Sequence, residues 1–216
     1  MTRPSHLPAR LAAFTDWLVQ DEPIARVARE TASVAVVFRE GPGGEEVLLI
    51  ERAERRDDPW SGDMAFPGGR VDAGDRSFRE TAVREAMEEV GADLASGARF
   101  LGYMGPFEAR RRSVRVVPSV FVATGQLALG GSDEVRSHLW VALDELLAGE
   151  NRSTHAVVVD DGDWTAGEGK GGSGPATSGE SRRRSFPSFN LRGRVVWGLT
   201  ERILASIAEA VGAGTG

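Results

Sequence analysis

The chain has no cysteine, a single lysine (Lys170), one tyrosine and three histidines among 216 residues. Without cysteine, disulfides and thiolate-held metals are excluded. His6, His138 and His155 are scattered, and each reads as structural rather than as a ligand. No G-x-S-x-G occurs, so a serine-hydrolase elbow is not supported. The stretch "GEGKGG" at 167–172 fits G-x-G-x-x-G only formally, because no helix follows before Pro175. It is not a P-loop either: Gly171 stands where Ser or Thr is needed, and Trp164 holds the first glycine position. The N-terminal "MTRPSHLPARLAAFTDWLVQ" lacks a signal peptide's apolar run, and no stretch reaches membrane-spanning length. The expectation is a cytoplasmic protein with no membrane partner. A net charge of -6 argues against nucleic acid as a partner, since a basic domain is expected there. Nearly all basic residues are arginine, so an arginine alone is weak grounds for a phosphate site.

What is present is a hydrophobic content of 41%, enough for a real core, in a length suited to one domain with an appendage. Leu7, Leu11, Phe14, Trp17 and Leu18 recur at helical spacing and predict an amphipathic helix over 6–19. "ASVAVVF" and "VLLIER" predict two strands joined across the turn-rich "REGPGGEE". Further strands are expected at "MAF", "ARFLGYM", "VRVVPSVFVA" and "HLWVAL", the last running into a short helix, "DELLAG". Residues 161–185 are Gly/Ser-rich with almost no apolar residues and predict a flexible loop, after which "FPSF" and a closing helix, "RVVWGLTERILASIAEAV", resume the pattern. The organisation expected is a lead-in over 1–31, a core over 32–160, the loop over 161–185, and a strand and helix over 186–216 that pack on the core. Strands with helices at both ends suggest an α/β sandwich around a mixed sheet.

The chemistry concentrates in "FPGGRVDAGDRSFRETAVREAMEEVG", residues 66–91. On a helix over 77–90, Glu85, Glu88 and Glu89 share one face, while Ala82, Val83, Ala86 and Val90 share another. Like charges on one face cost a few tenths of a kcal/mol per pair, so something positive is expected in front of them. A solvated acidic face is the plain alternative. The Pro-Gly-Gly turn ahead of the helix argues against it, because glycine lets backbone approach a ligand and a free carbonyl is a hard-cation ligand. Carboxylates plus a carbonyl, with no Cys or His pattern, suit Mg²⁺ or Mn²⁺ rather than zinc.

These residues resemble the signature of the Nudix hydrolases: Gly69, then Arg84-Glu85-Ala86-Met87-Glu88-Glu89-Val90-Gly91. Asp75 stands where that signature has Glu, and the gap to Arg84 is one residue longer than usual. The longer gap resembles the coenzyme A diphosphatase branch. Upstream, Leu48, Leu49, Arg52 and then Gly62 to Gly69 are similar to a second signature of that branch. Its intermediate arginine is replaced by Asp57 and Asp58.

The resemblance implies a Nudix-type α/β/α sandwich around a mixed sheet, with a loop–helix–loop catalytic motif. It implies Mg²⁺- or Mn²⁺-dependent hydrolysis of a nucleoside diphosphate linked to another moiety, with coenzyme A the leading substrate. Alternatives are another dinucleotide, a nucleotide sugar, a nucleoside triphosphate, or a non-catalytic binding module. Implied metal ligands are Glu85 and Glu89, with Glu88 sharing the site and the carbonyl of Gly69. Arg84 would orient a neighbouring acid, and Glu134 is a candidate general base, a role that stays undecided among the glutamates. Arg52 and Gly68 are expected at the substrate. Arg111 and Arg112 are favoured over the cluster Arg182–Arg184 for a ribose 3′-phosphate. The partner is a small nucleotide, and a homodimer stays open.

Overall fold

The computed structural model describes residues 9–28, 30–54, 62–109, 114–160 and 181–213. Arg111, Arg112 and residues 161–180 of the expected loop lie outside them, as do residues 6–8 of the expected first helix.

Two long strands organise the chain, β1 (Thr31–Gly41) and β2 (Gly44–Arg52), paired antiparallel. Both are near-continuous apolar runs because both faces of their sheet are covered. From β1 and β2, Ala35, Val37, Leu48 and Ile50 meet Ala82, Ala86 and Val90 of helix α2 (Phe78–Val90). The alternate residues Val36, Phe38, Val47 and Leu49 meet Leu11 and Phe14 of α1 (Ala9–Thr15) and Ile203, Leu204 and Ile207 of α5 (Gly198–Ala213). The result is an α/β/α sandwich.

Between these layers β3 (Met64–Ala65) pairs with β2, and β4 (Gly68–Arg70) pairs with β1. A short helix α3 (Leu94–Gly97) leads to β5 (Ala98–Tyr103), β6 (Phe107–Ala109) and β7 (Val114–Ala123). β7 lies parallel to β1 and antiparallel to β5 and β6, so the sheet is mixed. β8 (Val135–Ala142) returns to β2 and runs into α4 (Leu143–Leu147) and a 3₁₀ turn, Gly149–Asn151. A second antiparallel sheet follows, formed by β9 (Arg152–Asp160), β10 (Ser181–Leu191) and β11 (Arg194–Trp197). Among the described residues no helix is long and apolar enough to cross a membrane.

The structure departs from the sequence expectations at several elements: β4 replaces part of the expected Pro-Gly-Gly turn, β9 is a strand that no pattern marks, and three further segments differ. Helix α1 ends at Thr15 because Val19 leaves it to pair with Tyr103, its N–H donating to the Tyr103 carbonyl at 2.9 Å. Trp17, counted in the apolar stripe, is 53% exposed. Ser181–Ser185, assigned by composition to the loop, are strand, held by the opposing register of β9. Arg194–Trp197, assigned to the closing helix, are also strand. Arg192 and Gly193 take positive φ, 52° and 80°, as in a tight two-residue hairpin turn, and this turns the chain back on β10.

Candidate active site

The acidic helix α2 is fixed at both ends. Ser77 caps it, its hydroxyl accepting from the Glu80 N–H at 3.0 Å. Gly91 ends it in the left-handed region at φ 66°, its N–H reaching the Met87 carbonyl at 3.0 Å. The lead-in segment also holds the N-terminus, since Glu22 Oε1 accepts from the Phe78 N–H at 2.7 Å. Arg26 joins Glu22 and also donates to the Asp75 carbonyl.

Strand β4 runs against the acidic face. Its ladder with β1 includes Val71 N–H to the Thr31 carbonyl at 3.0 Å and Ala35 N–H to the Pro67 carbonyl at 2.7 Å. Alternation therefore sends the Gly69 polar groups into the ladder with Ser33 and turns those of Gly68 and Arg70 the other way. Two contacts follow that rule: the Gly68 N–H donates to Glu89 Oε2 at 2.9 Å, and the Arg70 carbonyl accepts from Arg84 Nη2 at 3.1 Å. This corrects the expectation for Gly69. The carbonyl on the side of the acids is that of Gly68, and the Gly69 carbonyl belongs to the sheet. Gly69 instead supplies clearance, since a Cβ there would overlap the Glu85 carboxylate.

Arg84 is the hub. It donates to Asp75 at 2.9 and 3.2 Å, to Glu85 Oε1 at 2.8 Å and to Glu88 Oε2 at 3.3 Å. Asp75 and, after it, Glu85 hold its guanidinium firmly protonated. Burial would raise the Asp75 carboxyl. The Arg84 guanidinium, the Asp72 N–H and the Thr81 hydroxyl outweigh it and hold Asp75 below the usual range.

Glu89 is only 4% exposed, and its carboxyl is pushed up to about 7. Burial is the main cause, and the charges of Glu85 and Glu134 add to it against the Gly68 N–H and Arg52. Burial likewise raises Glu85, against its bond to Arg84. Arg52 Nη1 stands 3.9 Å from Glu89 Oε1. Glu134 is exposed on the loop before β8, and its backbone carbonyl accepts from the Ala53 N–H at 2.8 Å, which brings that loop to the end of β2. Glu88 is the outermost acid, with its side chain 58% exposed.

Among the described residues no three His, Asp or Glu side chains are gathered as a finished metal cage. The reason is visible: Glu85 and Glu88 are spread around the Arg84 guanidinium, and Glu89 is drawn to the Gly68 N–H. The donors nevertheless fit a hard divalent cation. They are all oxygens, Arg84 takes only Oε1 of Glu85, and burial together with mutual repulsion leaves Glu89 short of positive charge.

Sequence reasoning passes over Thr81, Glu22 and Arg26. The signal available for Thr81 is its polar character near the start of an otherwise amphipathic helix. Glu22 and Arg26 reach the site across 56 and 49 residues, and nothing local marks them.

A family model described as the NUDIX domain matches residues 29–162. The chain belongs to the Nudix family. Among curated relatives of the Nudix chain, the peroxisomal coenzyme A diphosphatase of Caenorhabditis elegans is 32% identical over 146 residues, 64% of this chain and 60% of the relative. Nudix hydrolase 22 of Arabidopsis thaliana, a chloroplastic protein, is 27% identical over 191 residues, 86% of this chain and 57% of the relative. The chain thus spans less than two-thirds of the length of either. The solved NUDIX domain of Shewanella oneidensis NrtR, complexed with ADP ribose, is 22% identical and covers 57% of this chain and 77% of its own, with a TM-score of 0.42.

Proposed function

We propose that the chain hydrolyses the diphosphate of a nucleoside diphosphate linked to another moiety, with Mg²⁺ or Mn²⁺ as cofactor and coenzyme A as the leading substrate. Water would split coenzyme A into adenosine 3′,5′-bisphosphate and 4′-phosphopantetheine. The observation that carries the reading is the meeting of α2 and β4: Glu85 lies against Gly69, and Glu89 is buried on the Gly68 N–H. Glu85 and Glu89 would hold the cation, with Glu88 sharing and Gly68 offering its carbonyl. Bound there, a divalent cation supplies charge neutralisation for the diphosphate and a more acidic water.

The chain's own residues do the rest. Arg84 bonds Glu85 Oε1 at 2.8 Å and is itself anchored on Asp75, so it positions an acid rather than meeting substrate. Arg52 brings a cation to the edge of the carboxylate face, where a phosphate oxygen gains from a charge-assisted bond. Glu134 stands close enough for its charge to act on Glu89, which keeps it a candidate for taking the proton of the attacking water. The coenzyme A diphosphatase among the relatives supports the choice of substrate.

The test is turnover of coenzyme A, NADH, ADP-ribose and nucleoside triphosphates with Mg²⁺ or Mn²⁺. Coenzyme A should be cleaved fastest. Glu85→Gln and Glu89→Gln, which remove charge and keep shape, should each lose about two orders of magnitude or more with the fold intact, a loss of about 2.7 kcal/mol in transition-state stabilisation. Faster cleavage of another compound would move the assignment within the family. No cleavage of any would leave a binding module.

A further inference from the structure

The second sheet carries an aromatic face that the chemistry above does not use. His155 lies opposite Phe186, and Trp197 opposite Ser188, so the three side chains share one face by the two-residue period of strands. The His155 and Trp197 ring centroids are 5.4 Å apart and those of Phe186 and Trp197 5.8 Å apart, and all three rings are half-buried. The opposite face carries Phe189, Leu191 and Val196 into the core beneath α5. Among the described residues, core packing accounts for the opposite face of this sheet, while the rings of the aromatic face stay half-buried.

The aromatic face is joined to the acidic site by direct contacts. Trp197 Nε1 donates to Asp63 Oδ1 at 2.9 Å, and the Asp63 carbonyl accepts from the Arg52 N–H at 3.0 Å. Arg52 in turn stands 3.9 Å from Glu89. Asp63 and Gly68 are five residues apart, at most about 17 Å at about 3.3 Å per residue, so the aromatic face and the acidic site are neighbours. Arg184 lies opposite Val157, two residues from Phe186, so it extends the same face and is exposed there. A row of aromatic rings with a guanidinium at its edge is the chemistry that receives a base and a phosphate: the rings offer stacking, the arginine charge.

We propose that the face formed by His155, Phe186 and Trp197, with Arg184 at its edge, binds the nucleobase and ribose-phosphate end of the substrate. This subsite rests on the reading of the substrate as a nucleotide. Its test is by binding and does not need turnover. ADP is titrated calorimetrically into the full chain with Mg²⁺, with inorganic pyrophosphate as the control that lacks a base. Phe186→Leu keeps apolar bulk but removes the ring face, and it should weaken ADP about fivefold or more while leaving pyrophosphate unchanged. Phe186→Tyr should bind ADP as the wild type does, and His155→Ala should repeat the selective loss on a neighbouring ring. The subsite is overturned if the wild type does not bind ADP, if both variants bind it normally, or if ADP and pyrophosphate weaken together. If coenzyme A is still cleaved in that case, the hydrolase reading survives without the subsite. A selective loss of ADP affinity with no turnover of any nucleotide would keep the subsite and remove the hydrolase.

Discussion

Arg84 grips Asp75 with two nitrogens, Nε to Oδ1 at 3.2 Å and Nη2 to Oδ2 at 2.9 Å, across nine residues of chain. The pair spans the loop and the second turn of α2, and the Asp75 side chain is 8% exposed. Thr81 donates to the same carboxylate at 2.9 Å, so Asp75 is bonded from two turns of the helix. Arg84 therefore reaches Glu85 from a fixed base, and the orientation of Glu85 depends on an aspartate that need not touch substrate.

Asp75→Asn should loosen this anchor without changing its shape. Removing one charge of a largely buried pair costs up to several kcal/mol, but Arg84 is partly exposed and keeps Glu85. A loss of about 2 kcal/mol in unfolding free energy is expected, together with a fall in kcat larger than any rise in KM. Chemical denaturation and steady-state kinetics would measure both. An unaltered kcat in a destabilised protein would show that the anchor serves stability alone.

The two glycines of β4 should separate by phenotype. A Cβ at Gly68 would lie 2.5 Å from the Ser33 carbonyl oxygen and 2.6 Å from the Val34 Cα, both main-chain atoms of a central strand that cannot yield cheaply. A Cβ at Gly69 would meet the Glu85 carboxylate, the far end of a side chain that can turn aside. Gly68→Ala should thus lose about 2 kcal/mol or more of stability. Gly69→Ala should keep most of its stability while losing activity and Mg²⁺ affinity, because Glu85 is displaced. The reverse pattern, with Gly69→Ala the less stable protein and active, would contradict the packing.

What the sequence shows of this arrangement is what depends on local period. The spacing of Glu85, Glu88 and Glu89 against Ala82, Ala86 and Val90 orients α2, and the apolar runs of β1 and β2 announce a sheet covered on both faces. What it hides depends on pairing. The direction of the Gly68 and Gly69 carbonyls is set by their phase in the ladder with β1, more than thirty residues earlier. Val195, Val196 and Trp197 continue the apolar period of the following helix, and the Arg192-Gly193 turn before them and Gly198, at φ 69°, after them set them apart as a strand. The β9 sequence "RSTHAVVVD" lacks a clean alternation, and its partner β10 is distant in the chain, so the second sheet and its aromatic face are not legible locally.

Glu22 lies outside the matched domain, yet it closes the N-terminus of α2 through the Phe78 N–H. A carboxylate accepting there both satisfies a free helix N–H and favours the helix dipole. Glu22→Ala should cost about 1 kcal/mol, or roughly 2–4 °C in melting temperature for a chain of this size. Glu22→Gln, which keeps the acceptor and drops the charge, should fall between. Thermal scans giving equal melting temperatures for all three proteins would show the cap to be inconsequential.

Glu89 sets the expected response to pH in protein stripped of divalent cations with EDTA. Its carboxyl lies near 7 in the fold, against an ordinary value near 4.5, because it is buried beside Glu85. The folded state therefore holds this proton more tightly than the unfolded chain does. The associated stability is fully present below about pH 4.5 and is lost as pH rises through about 7, on the order of 3 kcal/mol in all. Glu85 and Glu201, also raised by burial, act in the same direction. Asp75, held low, acts in the opposite direction but only in acid. Between pH 5.5 and 8.5 the wild type should lose several degrees of melting temperature, and Glu89→Gln, with nothing to ionise, clearly less. Saturating Mg²⁺ should reverse the trend, because a cation favours the ionised carboxylate and so stabilises more at pH 8.5 than at pH 5.5. Matching pH profiles for the two proteins without metal would mean that Glu89 ionises freely in the fold, and the buried carboxylate at the centre of the site would have to be abandoned.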